Sequence, residues 1–94
     1  QKSAKQGFAW AQNNLGICYE EGIGTNINKT EAIKWYKKAA EQGLDIAQFN
    51  LGYCYEYGEG TSVNKTEAVK WYQEAAAQGN KDAEERLRLL GTSN

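Results

Sequence analysis

Apolar and small residues recur at Ala11, Leu15, Cys18, Tyr19 and Gly22, and the same i, i+4, i+7, i+8, i+11 spacing returns at Ala47, Leu51, Cys54, Tyr55 and Gly58. An α-helix turns once every 3.6 residues, so each set falls on one stripe of a helix. A second pattern lies between and after them: Ala32, Trp35, Tyr36, Ala39 and Ala40, matched by Ala68, Trp71, Tyr72, Ala75 and Ala76. Polar residues fill the intervening positions, so both kinds of helix are amphipathic. The pattern predicts an all-α fold of antiparallel helix pairs, with the Trp35-Tyr36 and Trp71-Tyr72 pairs in the cores between helices.

The ends of these helices are marked by residues with a physical reason to be there. Gly22, Gly43, Gly58 and Gly79 follow the stripes, where a helix commonly ends in a left-handed residue that only glycine adopts without steric cost. Asn28 and Asn64 precede strong helix formers, with Glu31 and Glu67 three residues on. That spacing is a capping box with Asn in place of Ser or Thr, its side-chain oxygen accepting from an unpaired backbone N–H. It predicts where each second helix begins.

The patterns repeat at a period of 36 residues: setting Asn14 to Phe49 against Asn50 to Glu85 gives 22 identities. A unit this short cannot bury its apolar face alone and must stack on copies of itself. Stacking produces an extended surface rather than a closed catalytic pocket, which points to a binding scaffold.

Composition modifies this picture only slightly. Leu, Ile, Val and Phe supply 15 of 94 residues, a share that elsewhere signals disorder. Here the net charge is only −1, and twelve Ala, six Tyr and three Trp sit at helical spacing, the small residues admitting close helix approach while the aromatics fill the gaps. With two arginines and no lysine run longer than Lys37-Lys38, nucleic acid is not an expected partner. No apolar run approaches the roughly 18 residues of a spanning helix, so no membrane partner is expected either.

The strings Ala47-Gln-Phe-Asn-Leu-Gly-Tyr-Cys-Tyr55, Gly58-Glu-Gly60, Glu67-Ala-Val-Lys-Trp-Tyr72 and Ala75-Ala-Ala-Gln-Gly79 resemble the Sel-one-like repeat, a 36-residue relative of the tetratricopeptide repeat. The resemblance covers nearly the whole chain. It implies a right-handed α-α superhelix, a solenoid of about two full repeats, a partial N-terminal helix and a C-terminal capping helix. Asn28 and Asn64 stand where the family usually has aspartate, and Thr25 and Thr61 where it has a loop valine. Aligned on the repeat, residues 1–7 read as the end of a preceding unit, 8–43 and 44–79 as repeats, and 80–94 as a cap helix and tail within one domain. In that cap Arg88 replaces Gly16 and Gly52, and its bulk and charge would block a further helix.

At 100° per residue a second stripe lies about 110° from the core stripe of the first helices. It contains Ile46, Asn50, Tyr53 and Tyr57, flanked by Phe49, and one repeat earlier Trp10, Asn14, Ile17 and Glu21, flanked by Asn13. Resemblance to tetratricopeptide proteins implies that this is the concave side, where extended peptides are held. The candidate partner-binding residues are therefore Asn14, Ile17, Glu21, Phe49, Asn50, Tyr53 and Tyr57. Some of them could instead pack against a neighbouring helix. Asn14 and Asn50 could register a peptide main chain, or tie the repeats together internally.

Cys18 and Cys54 share the helical phase of the core and are expected to be buried free thiols, since equivalent sites on neighbouring helices lie beyond disulfide reach. Asn28-Lys-Thr30 and Asn64-Lys-Thr66 are glycosylation sequons, but capping already accounts for both asparagines. The chain has no histidine, so histidine-based triads and metal sites are excluded, and neither metal nor cofactor is expected. Glu20, Glu56 and Glu59 read as exposed helix-end charges rather than a catalytic carboxylate pair. The expected function is a protein-interaction scaffold without enzymatic activity, its partner a protein or peptide. The alternative is an architectural or regulatory spacer attached to a catalytic domain elsewhere. Apolar residues near the N-terminal end, Phe8 and Trp10 among them, are further expected to drive self-association.

Overall fold

A computed structural model describes the backbone of residues 2–91 and the side chains from Gly7 onward. It contains five helices: α1 (Lys2–Glu21), α2 (Lys29–Glu41), α3 (Asp45–Tyr57), α4 (Lys65–Ala77) and α5 (Lys81–Leu89). Among the described residues there is no strand. The pairs α1–α2 and α3–α4 pack as hairpins, α3 docks on α2, and α5 docks on α4. The Cα envelope measures 38 × 34 × 16 Å, its thin dimension matching two layers of packed helices. This is an all-α solenoid of antiparallel pairs.

Helix ends follow local chemistry. Asn28 Oδ1 accepts from the Glu31 N–H at 3.0 Å and Asn64 Oδ1 from the Glu67 N–H at 3.1 Å. Only half of the capping box forms, because the Asn28 and Asn64 N–H groups donate to the carbonyls of Tyr19 and Tyr55 and so close the seven-residue loops instead. Gly22 and Gly58, at φ of 74° and 71°, reverse the chain after α1 and α3.

At Gly7 the outcome differs from its alignment with Gly43. Gly43 turns at φ 94°, whereas Gly7 lies inside α1. The chain reverses at Gly43 because α3 folds back onto α2. Residues 2–6 instead continue α1 through Gly7.

Close approach within each pair depends on glycine inside a helix. A Cβ at Gly52 would lie 2.8 Å from the Tyr72 ring, and one at Gly16 would lie 2.6 Å from the Tyr36 ring. Both tyrosines are fully buried, and their hydroxyls bond to Glu20 (from Tyr36) and to Glu56 at 2.7 Å (from Tyr72). The fully buried member of each Trp-Tyr pair is therefore the tyrosine, while the tryptophan is partly buried and Trp71 packs against the core. Trp35 and Trp71 are half-buried at the edge, under Lys38 and Lys70 at 5.6 and 5.2 Å from the ring centroids.

A correction concerns the first helices. Leu44, Ala47, Leu51 and Cys54 are buried on α2, whereas their counterparts Phe8, Ala11 and Leu15 are exposed and Cys18 is half-exposed. The stripe of α3 is an inter-repeat surface packed on α2, and among the described residues no helix covers the same stripe of α1. The face of α1 that is buried carries Ala9, Gln12, Asn13 and Gly16.

Polar ladders link the repeats. Gln42 Nε2 donates to Gln12 Oε1 at 2.5 Å, and Gln78 Nε2 to Gln48 Oε1 at 3.0 Å one repeat later. Gln48 Nε2 also donates to the Ala40 carbonyl, which satisfies an amide that would otherwise be costly to bury.

Candidate functional site

The first helices α1, α3 and α5 share one side of the solenoid, and direct contacts run between them along it. Asn50 Nδ2 on α3 donates to Asn13 Oδ1 on α1 at 3.0 Å. Arg86 on α5 reaches α3, its Nε donating to Glu56 Oε1 at 3.2 Å and its Nη2 to Glu56 Oε2 and to the Tyr57 hydroxyl at 2.8 Å.

The centre of this side is aromatic. Tyr53 and Tyr57 stand one helical turn apart with centroids 4.6 Å apart, and are 41% and 48% exposed. Phe49, one turn earlier, is half-buried, 6.5 Å from Tyr53 and 5.5 Å from the core ring of Tyr72. Phe49 thus anchors the band to the core while the two tyrosines face outward. Guanidinium over the Tyr57 ring at 5.7 Å extends the band onto α5.

The sequence-selected residues separate on this side. Asn14 and Glu21 are exposed, and Asn50 is partly buried and engaged with Asn13. Ile17 is half-buried and packs against the core of the first repeat, as does Tyr19. Ile46 is half-buried and Trp10 exposed. Internal packing thus claims Ile17, Phe49 and in part Asn50, leaving Asn14, Glu21, Tyr53 and Tyr57 open.

Glu20 and Glu56 are not exposed helix-end charges, and this corrects the expectation. Glu56 is buried, its carboxylate accepting from Tyr72 and Arg86, and Glu20 is partly buried against Tyr36. Burial opposes ionisation of Glu56, but hydrogen bonds from Arg86 and Tyr72 and the charge of Arg86 outweigh it and hold its carboxyl below the usual range. Burial, then the neighbouring carboxylates, push the Tyr36 and Tyr72 hydroxyls far up. Glu59 is paired with Lys29 across the repeats at 2.8 Å. No metal-holding cluster of acidic and sulfur ligands occurs among the described residues.

Arg86 and Leu89 belong to this side and escaped the sequence reading. The repeat register contained the signal: adding 36 takes Asn50 to Arg86 and Tyr53 to Leu89, which is exposed. Both cysteines are free, with burial pushing the Cys54 thiol up to about 12. No described helix is long and apolar enough to cross a membrane.

Such an arrangement defines a helical-repeat protein with an exposed aromatic band on its first-helix side. The Sel1 repeat family model matches residues 11–44 and 45–80, and the chain belongs to that family. A Sel1 repeat protein from Oxalobacter formigenes is 50% identical with a TM-score of 0.86, over 87% of this chain and 34% of its own. A protective antigen of uropathogenic Escherichia coli with an SLR fold is 43% identical with a TM-score of 0.84, over 89% and 18%. Helicobacter pylori cysteine rich protein B is 29% identical with a TM-score of 0.77, over 80% and 56%. A putative sel1-like repeat-containing protein of Acanthamoeba polyphaga mimivirus shares 50% identity over 36 residues, which is 38% of this chain and 7% of that protein. The chain thus spans less than two thirds of each of these relatives.

Proposed function

We propose that this chain is a protein-interaction module that holds an extended segment of a partner along α1, α3 and α5, the side that corresponds to the concave face of related solenoids. The observation that carries the reading is the exposed Tyr53–Tyr57 pair, anchored from beneath by Phe49. Two tyrosines offer a large, rigid contact area at low entropic cost, and neither ring fills the core. The open amide of Asn14 adds a donor and an acceptor for a partner's main chain. No arrangement on this side suits bond-making chemistry, so its role is binding rather than catalysis.

The test is a peptide-array screen followed by titration of the hits. Tyr53→Ala is the informative variant, because Tyr57 also bonds to Arg86 and its loss disturbs the cap helix. Truncating a hot-spot tyrosine weakens binding by about 2 kcal/mol or more, roughly 30-fold. Lys34→Ala, on the outer layer, serves as the control. Equal affinity of Tyr53→Ala, Lys34→Ala and the parent chain would remove the proposed face, and absence of any saturable ligand would favour the spacer reading.

A second surface supports self-association. Phe8 is 61% exposed and Leu15 41%, on a stripe whose counterpart is covered by α2. Concentration-dependent sedimentation that Leu15→Asp abolishes is the expected result, and a strict monomer at millimolar concentration would refute it.

A further inference from the structure

Charge is distributed unevenly between the two helix layers. α1 carries Glu20 and Glu21 near its C-terminal end against Lys2 and Lys5 at its start, and α3 carries Asp45 and Glu56 and neither lysine nor arginine. On the other layer, α2 carries Lys29, Lys34, Lys37 and Lys38 against Glu31 and Glu41, while α4 balances Lys65 and Lys70 against Glu67 and Glu74. The charges of α5 balance, and its two arginines are paired, Arg86 with Glu56 and Arg88 with Glu85 at 2.5 Å. The aromatic side therefore exposes Glu21 and Asp82, while Glu56 is buried there and compensated by Arg86.

Rings in both layers of this protein show how they use a cation. Three of them already lie under one: Trp35 under Lys38, Trp71 under Lys70, and Tyr57 under Arg86. Tyr53, next to Tyr57, is 41% exposed and has no cation over its ring among the described residues. Glu21 occupies on α1 the position that Tyr57 occupies on α3, in the last turn of its helix, where the backbone dipole adds negative potential. Asp82, one repeat after Ile46, is exposed at the start of α5.

We infer that the segment held by this side is basic, with a lysine or arginine of the partner seated over the Tyr53 ring and within reach of the Glu21 carboxylate. The inference rests on the docking reading above and adds the partner's chemistry to it. A carboxylate-bearing segment is disfavoured, since Arg86 has its Nε and Nη2 on Glu56 and Tyr57, and an incoming anion would meet Glu21 and Asp82. Desolvated cation–π contact supplies affinity, and the acidic surroundings raise the association rate in a salt-dependent way.

Two decapeptides of identical order, built from Gly, Leu and either three Lys or three Glu, test this by NMR titration of the chain at low salt. The lysine peptide is expected to bind at least about 10-fold more tightly, to shift the Tyr53 and Glu21 resonances, and to lose that advantage in roughly 0.5 M NaCl, where the screening length falls to a few ångströms. Tyr53→Ala and Glu21→Gln should each weaken it about 5- to 10-fold, with Lys34→Ala unchanged. Equal or tighter binding of the glutamate peptide overturns the inference. If that peptide is also weakened by Tyr53→Ala, the docking reading survives and only the charge assignment falls. If neither peptide perturbs Tyr53 at millimolar concentration, both fall.

Discussion

Leu15 and Leu51 occupy the same position of successive repeats, yet one is 41% exposed and the other 0%. Truncating each to alanine removes the same atoms from different surroundings. Leu51 lies within the buried cluster that joins α2 to α3, beside Ala47 and Cys54, so Leu51→Ala loses transfer energy and leaves a cavity. Such substitutions cost about 3 to 5 kcal/mol when the site cannot collapse. A loss of about 3 kcal/mol lowers Tm by roughly 12 to 24 °C in a domain of this size. Leu15→Ala removes surface that is already partly wet and leaves no closed cavity, so its cost should stay near 1 kcal/mol, about 4 to 8 °C. Thermal and urea melts followed by circular dichroism at low micromolar concentration read both numbers. Equal costs for the two variants would refute the argument that cover by α2, rather than the stripe itself, makes this position part of the core.

Gly52→Ala places a Cβ 2.8 Å from the buried Tyr72 ring and should destabilise by about 1 to 3 kcal/mol, whereas Gly7→Ala meets nothing within 4 Å inside a helix and should stabilise by about 0.5 to 1 kcal/mol; melting of the two variants in the same direction would count against this. The hydroxyls of Tyr36 and Tyr72 titrate above the usual value of about 10, so the stability they confer is complete below pH 10 and declines as pH rises beyond it. A Tyr36→Phe/Tyr72→Phe double variant should lose less stability than the parent between pH 9 and 11 in urea titrations, and identical losses would contradict the assignment. Glu56 works in the opposite sense, its contribution being present above the ordinary carboxyl range and lost as pH falls through its lowered value. Native thiol labelling at pH 8 should modify Cys18 readily and Cys54 only on unfolding, because Cys54 is buried and its thiol raised to about 12; equal rates would show that α3 does not stay docked.

Periodicity, caps and glycines determine the helices of this protein without outside help. Asn28 and Asn64 satisfy helix donors three residues away, and Gly22 and Gly58 adopt conformations denied to their neighbours, all within one turn of the chain. The 36-residue identity then dictates that units stack, and it marks the phase at which Tyr53 and Tyr57 emerge. Tertiary structure decided the rest. Identical stripes on α1 and α3 differ in burial because α2 covers that of α3, while among the described residues no helix covers that of α1. Tyrosine is the more deeply buried member of each Trp-Tyr pair, because Gly16 and Gly52 leave room for its ring. Glu56 became a buried anchor instead of a surface charge because Tyr72 and Arg86, 16 and 30 residues away, converge on it. Local pattern specifies what a segment can bury, whereas burial itself depends on which neighbour arrives, and that is a property of the assembled chain.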